Sequence, residues 1–310
     1  MPIFFAVDDN YIPLLAVALR SLSDNCTKRH EYKIHVLIEE LSDTSRRAVK
    51  SFERENISIS FVDVRDKLKS IYQRLHIRDY YTNATYYRFF IPELFPEYDR
   101  GLYLDCDIVI NCDIAKLYHT PIGHNLVGAI PEEVMTDINV FGKYSEVVLG
   151  IDRNRYFNAG ILVMNLKKMR EISIERQFAE LLSRITYKVA QDQDYLNVIC
   201  KNKVYYLSKR WNKTPMPNSD ESAIPHIVHY KINFKPWRYD AIPYASHFWK
   251  YADKTEFAEH LHTIKTNYSD KEKARDSAQY DGLVALAEVE TAEKECENSA
   301  PLSSLCTEVM

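Results

Sequence analysis

Two acids stand one residue apart in Leu102-Tyr103-Leu104-Asp105-Cys106-Asp107-Ile108-Val109-Ile110, with apolar residues on both sides. In an extended chain, residues i and i+2 face the same way. Two carboxylates so placed repel each other unless a cation lies between them. Oxygen ligands at an exposed strand end suit Mg²⁺ or Mn²⁺, and such ions keep open positions for phosphate oxygens. The bland alternative is a pair of solvated acids at a strand terminus. The hydrophobic approach weighs against it, because it fixes the acids at a sheet's carboxyl end.

Four further clusters carry reactive or ligand-binding residue types. Ile227-Val228-His229-Tyr230, followed by Lys235-Pro236-Trp237, offers an imidazole that can complete a carboxylate metal site and a lysine that could neutralise a phosphate on the same ion. In isolation a core histidine beside a surface lysine is the plainer reading. His226 and His229 are spaced like a weak zinc pair, but i and i+3 on a strand face opposite sides. Gln191-Asp192-Gln193-Asp194 stands at a helix start, where acids serve capping and the dipole. Its interleaved amides and acids also form a dense set of partners for sugar hydroxyls. Asn158 and Gly160, at the head of a buried strand, indicate close backbone approach, although tight packing alone accounts for the glycine. Arg88 sits among Tyr86, Tyr87, Phe89 and Phe90, either paired internally or aimed at a ligand.

The elements that must position these residues alternate. Ile3–Val7, Tyr32–Ile38, Ile57–Val64, Gly101–Asp105 and Ile108–Ile110 read as strands, as do Leu126–Ile130 and Ala159–Leu166. Asn10 is a cap for the helix carrying Leu14, Leu15, Val17, Ala18 and Leu22, and Ser42 caps a helix over about 43–55. A helix is expected over 82–95. Another begins near Gln191 and carries Tyr195, Leu196, Val198 and Ile199 inward. Residues 246–266 look helical. Strand–helix alternation with continuous apolar strands predicts an α/β fold, a mostly parallel sheet with helices on both faces. In such sheets the ligand lies at the carboxyl ends of the strands.

Composition narrows the chemistry. Seven glycines in 310 residues form no G-x-G, and Ala129 follows Gly128 where a P-loop needs lysine, so no glycine loop cradles a phosphate. A net charge of −4 gives no overall pull toward nucleic acid. Six dispersed cysteines without a C-x-x-C pair read as reduced thiols. Without a signal peptide or an apolar run of ~18 residues, the expected compartment is the cytoplasm. Residues 265–310 hold 5 Lys/Arg against 10 Asp/Glu. They read as an appended helix or a disordered acidic segment, giving a domain over 1–265 and an extension over 266–310.

Taken in order, Ala6-Val7-Asp8-Asp9-Asn10, Tyr87-Arg88-Phe89, the Asp105/Asp107 segment, Phe157-Asn158-Ala159-Gly160, Gln191–Asp194 and His229-Tyr230 with Lys235-Pro236-Trp237 resemble the family-8 retaining glycosyltransferases. The likeness is greatest to bacterial lipopolysaccharide galactosyl- and glucosyltransferases, with glycogenin more distant, and it runs from about residue 3 to 237. It implies a GT-A fold and transfer of a hexose from a UDP-sugar to a glycan or glycolipid acceptor. Carried over by position, Asp105, Asp107 and His229 are implied to hold Mn²⁺ or Mg²⁺. Ala6, Asp8 and Asn10 are the implied uridine contacts, and Lys235 meets the diphosphate. Arg88, Asn158, Asp192 and Gln193 surround the donor sugar, with Gln193 nearest the reacting carbon. Gln193, Asp192 and Lys235 are the implied catalytic residues.

Three departures stand out. Ile232 replaces a usual glycine, so the loop is expected to approach the diphosphate differently. Glu132 stands where the family often has aspartate near the sugar. The tail is acidic where the bacterial enzymes often carry a basic membrane-associating one, so association with the membrane's inner face stays open. A metal-dependent nucleotidyltransferase or phosphohydrolase would also use paired acids and a lysine. A non-catalytic sugar-binding protein is the third reading.

Overall fold

The first strand shows how the sheet is built. Ile3, Phe5 and Val7 feed one apolar cluster, and Phe4, between them, feeds another. Leu102 and Leu104 divide from Tyr103 in the same way. Because alternate side chains of a strand point to opposite faces, each face of the sheet is covered by its own core. The computed structural model describes residues 1–69, 71, 75, 83–217, 219, 221–222 and 224–299.

Nine strands are described: β1 (Pro2–Ala6), β2 (Tyr32–Ile38), β3 (Ile57–Asp63), β4 (Gly101–Leu104), β5 (Ile108–Ile110), β6 (Val127–Pro131), β7 (Phe157–Met164), β8 (Val204–Tyr206) and β9 (Ile227–His229). Seven form one sheet in the order β3-β2-β1-β4-β7-β6-β8. All its pairings are parallel except the two made by β7, so the expected mostly parallel sheet is present. The reversal of β7 has a consequence for function. Its first residues, Phe157 and Asn158, lie with the carboxyl ends of the other strands, opposite Pro131 and Ile130 of β6. β5 and β9 form a separate antiparallel pair in which Ile108 faces His229.

Several sequence expectations shift. The helix expected over 82–95 is, in its described part, a 3₁₀ segment Asn83–Phe89 followed by the short helix Ile91–Leu94; Thr82 lies outside the described residues. Pro92 suits a first helical turn, and burying Tyr86, Tyr87, Phe89 and Phe90 together decides the winding here. Asn10 is not the cap. The Asp8 carboxylate accepts from the backbone N–H groups of Asn10 and Tyr11 (2.9 and 3.2 Å), and Asn10 lies in a 3₁₀ turn. Ser42 does cap its helix, which ends at Lys50. The 246–266 segment is two helices, Ala245–Ala252 and Ala258–Asn267. Of the residues expected inward on helix Asp192–Ile199, Tyr195 and Leu196 are buried, whereas Val198 and Ile199 are half-buried.

The acidic tail forms helix Asp270–Ser299, packed on helix Asn139–Val147. Its acids find cations on the body: Glu295 with Lys143 at 3.0 Å, Glu290 with Lys188 at 2.6 Å and Asp276 with Arg238 at 3.5 Å. Among the described residues no helix is long and apolar enough to cross a membrane.

Candidate active site

One cleft lies across the carboxyl ends of the strands. Its space totals about 1230 Å³, open solvent at the mouth included. Ala6, Asp8, Arg88, Asp105, Asp107, Asn158, Asp192, Gln193 and His229 all line it. Asn10 does not, and is exposed. Lys235 does not line it either; it is buried, with Nζ 3.2 Å from Asp107 Oδ2. Sequence reasoning missed Tyr11, at the end of the first strand's turn, and Tyr280 and Leu283, which reach the cleft from the C-terminal helix.

Two pairings bring the acids and the imidazole together. The Asp105 N–H donates to the Gly160 carbonyl of β7 at 2.7 Å, extending the β4–β7 ladder by one residue. The β5–β9 register then sets His229 beside the acids, and the Tyr230 N–H donates to the Asp107 carbonyl at 2.9 Å. One ligand atom each from Asp105, Asp107 and His229 lie within 4.8 Å of one another. His226 takes no part; its ring packs on Trp211, with centroids 4.5 Å apart.

A chain of hydrogen bonds fixes the imidazole. The Gly160 N–H donates to Asn158 Oδ1 (3.0 Å), so that atom is the oxygen. Asn212 Nδ2 donates to the same oxygen (2.7 Å). Asn212 Oδ1 therefore accepts from His229 Nδ1 at 3.0 Å. Nε2 then faces Asp107 Oδ1 at 3.1 Å, a separation that requires a proton or a cation between the two atoms. A histidine whose far nitrogen is held this way is oriented as a metal ligand.

Gly160 lets the acid and the imidazole close up against the strand. A Cβ built on Gly160 would lie 2.3 Å from Asp105 Oδ2 and 2.5 Å from His229 Cε1. Two carboxylates and one imidazole, with no thiolate, fit a hard divalent ion of the Mn²⁺ or Mg²⁺ kind that keeps positions for further oxygens.

Arg88 is both paired and at the ligand site. Its guanidinium meets Asp105 Oδ1 and Asp192 Oδ2, each at 3.3 Å, donates to the Ala159 carbonyl, and lies 4.3 Å from the centroid of the Tyr103 ring. Gln193 Oε1 accepts from the Ala159 N–H (2.9 Å) and from Asn158 Nδ2 (3.2 Å). Asn197, buried on the same helix, brackets the backbone of Phe157 with both ends of its amide at 2.8 Å. That bond pair locks helix Asp192–Ile199 to the start of β7. Glu132 is buried, accepts from Asn158 Nδ2 (2.7 Å) and pairs with Lys231. Two residues beside the cleft hold positive φ without being glycine: Gln191 (49°) ahead of Asp192, and Ile232 (55°) between Lys231 and Lys235. Such backbone persists where surrounding packing over-determines it, and it concentrates at functional sites.

Charge states follow from these contacts. Burial opposes ionisation of Asp107, but Lys235 and His229 beside it outweigh that and hold its carboxyl below the usual range. Burial also lowers Lys235, opposed by Asp107. Burial pushes Asp192 up to about 7 against the pull of Arg88. Burial likewise pushes Asp194 up to about 6, although it accepts from the hydroxyls of Tyr156 (2.6 Å) and Tyr144 (2.9 Å) and from the Ala190 N–H (2.9 Å). Asp194 thus serves the helix start and core, as its capping reading expects.

The Asp194 shift has a pH signature. Its folded pKa lies above the unfolded value, so its contribution to stability is full below about 4 and is lost as pH rises through about 6. In urea unfolding between pH 4 and 7, Asp194→Asn is expected to remove that part of the decline. A slope identical to wild type would rule Asp194 out as its source.

The profile of glycosyl transferase family 8 matches residues 2–241. General stress protein A of Bacillus subtilis (strain 168) is 27% identical over 283 residues, spanning 83% of this chain and 94% of that protein. Lipopolysaccharide 1,2-glucosyltransferase of Escherichia coli (strain K12) is 26% identical over 266 residues, spanning 80% of this chain and 76% of that one. Among solved structures, the galactosyltransferase LgtC, in complex with donor and acceptor sugar analogs, matches with a TM-score of 0.67 at 28% identity, covering 83% of this chain and 96% of that one. The sheet is accordingly of the GT-A type that the motifs implied. The matched segment contains every described strand of both sheets, the two acids and His229, and by it this chain belongs to glycosyl transferase family 8.

Proposed function

We propose that the protein is a retaining hexosyltransferase that moves glucose or galactose from a UDP-sugar to a glycan or glycolipid acceptor in the synthesis of lipopolysaccharide or another cell-surface glycan. The reading rests on one observation above all. Nε2 of His229 and the Asp107 carboxylate face each other at 3.1 Å beside Asp105, in a cleft at the carboxyl edge of the sheet. We take the site of action to be the cytoplasm, at the inner face of a membrane when the acceptor is a glycolipid.

A divalent ion held by Asp105, Asp107 and His229 would supply charge neutralisation to the departing diphosphate. The chain's own residues do the rest. Ala6 and Asp8, which line the cleft at the end of β1, would meet the uridine. Lys235 adds positive charge behind Asp107, where it strengthens the field on a leaving phosphate. Arg88 ties Asp192 to Asp105 and keeps both carboxylates oriented for sugar hydroxyls.

The state of the carboxylates bears on stereochemistry. A double displacement needs a carboxylate free to attack the anomeric carbon. Asp192 is paired with Arg88, and Glu132 with Lys231 and Asn158. Gln193, an amide, already accepts two hydrogen bonds. This supports same-face transfer, in which the leaving phosphate takes the acceptor's proton. At the Glu132 departure, the longer acid pairs with Lys231.

A screen of UDP-hexoses with Mn²⁺ tests the reading. One donor is expected to be hydrolysed slowly to UDP and free sugar, and chelation should stop it. Hexose 1-phosphate and UMP as the products, from cleavage between the two phosphates, would favour the nucleotidyltransferase or phosphohydrolase instead.

A further inference from the structure

The cleft follows the strand order. Ala6 ends β1, Asp105 follows β4, Asn158 and Gly160 begin β7, and Glu132 follows β6. A donor with its uridine at β1 and its sugar near Asn158 leaves the far end, beyond Glu132, for whatever receives the sugar. That end changes character. Glu132 and Lys231 cancel each other's charge at its threshold. The lining there includes an apolar patch: Val134, Met135 and Phe141, with Tyr280 and Leu283 added by the C-terminal helix. The rings of Tyr280 and Phe141 meet edge to face, with centroids 6.4 Å apart.

The C-terminal helix lies wholly beyond the family-matched residues 2–241. It is nonetheless fastened at both ends. Near its start, Asp276 accepts from the hydroxyls of Tyr239 (2.8 Å) and Tyr268 (2.6 Å). Near its end, Glu290 and Glu295 pair with lysines of the body. Tyr280 and Leu283 are therefore held at the cleft as part of a fixed wall.

We infer that this wall is the acceptor subsite, and that it takes an acceptor sugar carrying an apolar substituent next to the accepting ring. The assignment deepens the transferase reading and rests on it. An aromatic ring with aliphatic neighbours removes apolar area from water but offers few hydrogen bonds, so it rewards an apolar substituent over a bare glycoside.

The test uses the full chain and two probes, methyl and p-nitrophenyl β-glycosides of glucose and galactose, titrated calorimetrically with UDP and Mn²⁺ present. The aryl glycoside is expected to bind about tenfold tighter than the methyl one, the scale of one partly buried ring. Tyr280→Ala and Leu283→Ser should each shrink that ratio several-fold, and Tyr280→Phe should retain it. Equal affinity of the two probes for the wild type would overturn the assignment, as would a ratio untouched in both truncations. Titrating UDP into the wild type separates the two claims. If UDP fails to bind while the aryl preference and its loss in the variants hold, the transferase reading falls and the apolar subsite stands.

Discussion

Asp107→Asn should reduce transfer about 10²–10³-fold, the usual cost of losing one preorganised electrostatic group at a reacting phosphate or oxyanion. The expected loss has two sources. The carboxylate is a ligand atom of the three-residue cluster, and it is the partner that keeps Lys235 charged behind the site. An asparagine keeps the shape and one acceptor for Lys235, so the fold should survive. Alanine is a different case. Lys235 is 3% exposed, and removing Asp107 takes away the carboxylate its ammonium pairs with at 3.2 Å. Breaking such a pair costs about 3–5 kcal/mol. Asp107→Ala should therefore be destabilised without metal, and its inactivity would be ambiguous. Combining Asp107→Asn with Lys235→Met should restore urea stability without restoring transfer, because the ammonium is gone but so is the charge. Steady-state UDP release across a Mn²⁺ series, with unfolding curves for each variant, reads both effects. Folded Asp107→Asn with wild-type transfer would falsify the metal assignment.

Much of this was legible in the sequence because the parallel strands are short, continuous apolar runs ending in polar residues. Ile3–Val7 and Gly101–Asp105 could hardly be anything else, and their ends place Asp8 and Asp105. Three things were not legible, each for a physical reason. The reversal of β7 leaves no local mark, since a strand buried on both faces reads the same in either direction; only its pairing shows why Asn158 belongs to the site. The 83–95 segment defied its helical pattern because four neighbouring aromatic residues are buried together, and packing overrode periodicity. For the tail, composition left an appended helix and a disordered segment both open, and the structure has the helix. Its acids pair with Lys143, Lys188 and Arg238, partners that no local pattern reveals. For Lys235 the motif implied contact with a diphosphate, and what the sequence did not reveal is its ion pair with Asp107 at 3.2 Å.

Gly160→Ala should be nearly as damaging to activity as loss of an acid, although it removes no functional group. Gly160 is not needed for its φ; it is extended backbone within β7. What it supplies is absence. The added methyl would sit 2.3 Å from Asp105 Oδ2, 2.5 Å from His229 Cε1 and 3.0 Å from Asp105 Cγ. Real Cβ atoms do not approach this closely, so something must yield. Neither neighbour is a loose end. Asp105 is held by Arg88 and by its own N–H on the Gly160 carbonyl, and His229 by Asn212. The methyl must then push one ligand out of the cluster or bow the β4–β7 ladder. Overpacking of this kind costs about 1–3 kcal/mol, which the surrounding sheet should withstand. The loss should appear as about 10²-fold weaker catalysis, the penalty of misplacing reacting groups by an ångström. It should also appear as loss of the gain in UDP affinity that Mn²⁺ provides. Calorimetry of UDP with and without Mn²⁺ distinguishes this from a general packing defect, which would weaken UDP binding in both conditions alike. If Gly160→Ala binds UDP with an undiminished manganese effect, the two acids and the imidazole do not share an ion, and the tight space beside Gly160 is packing alone.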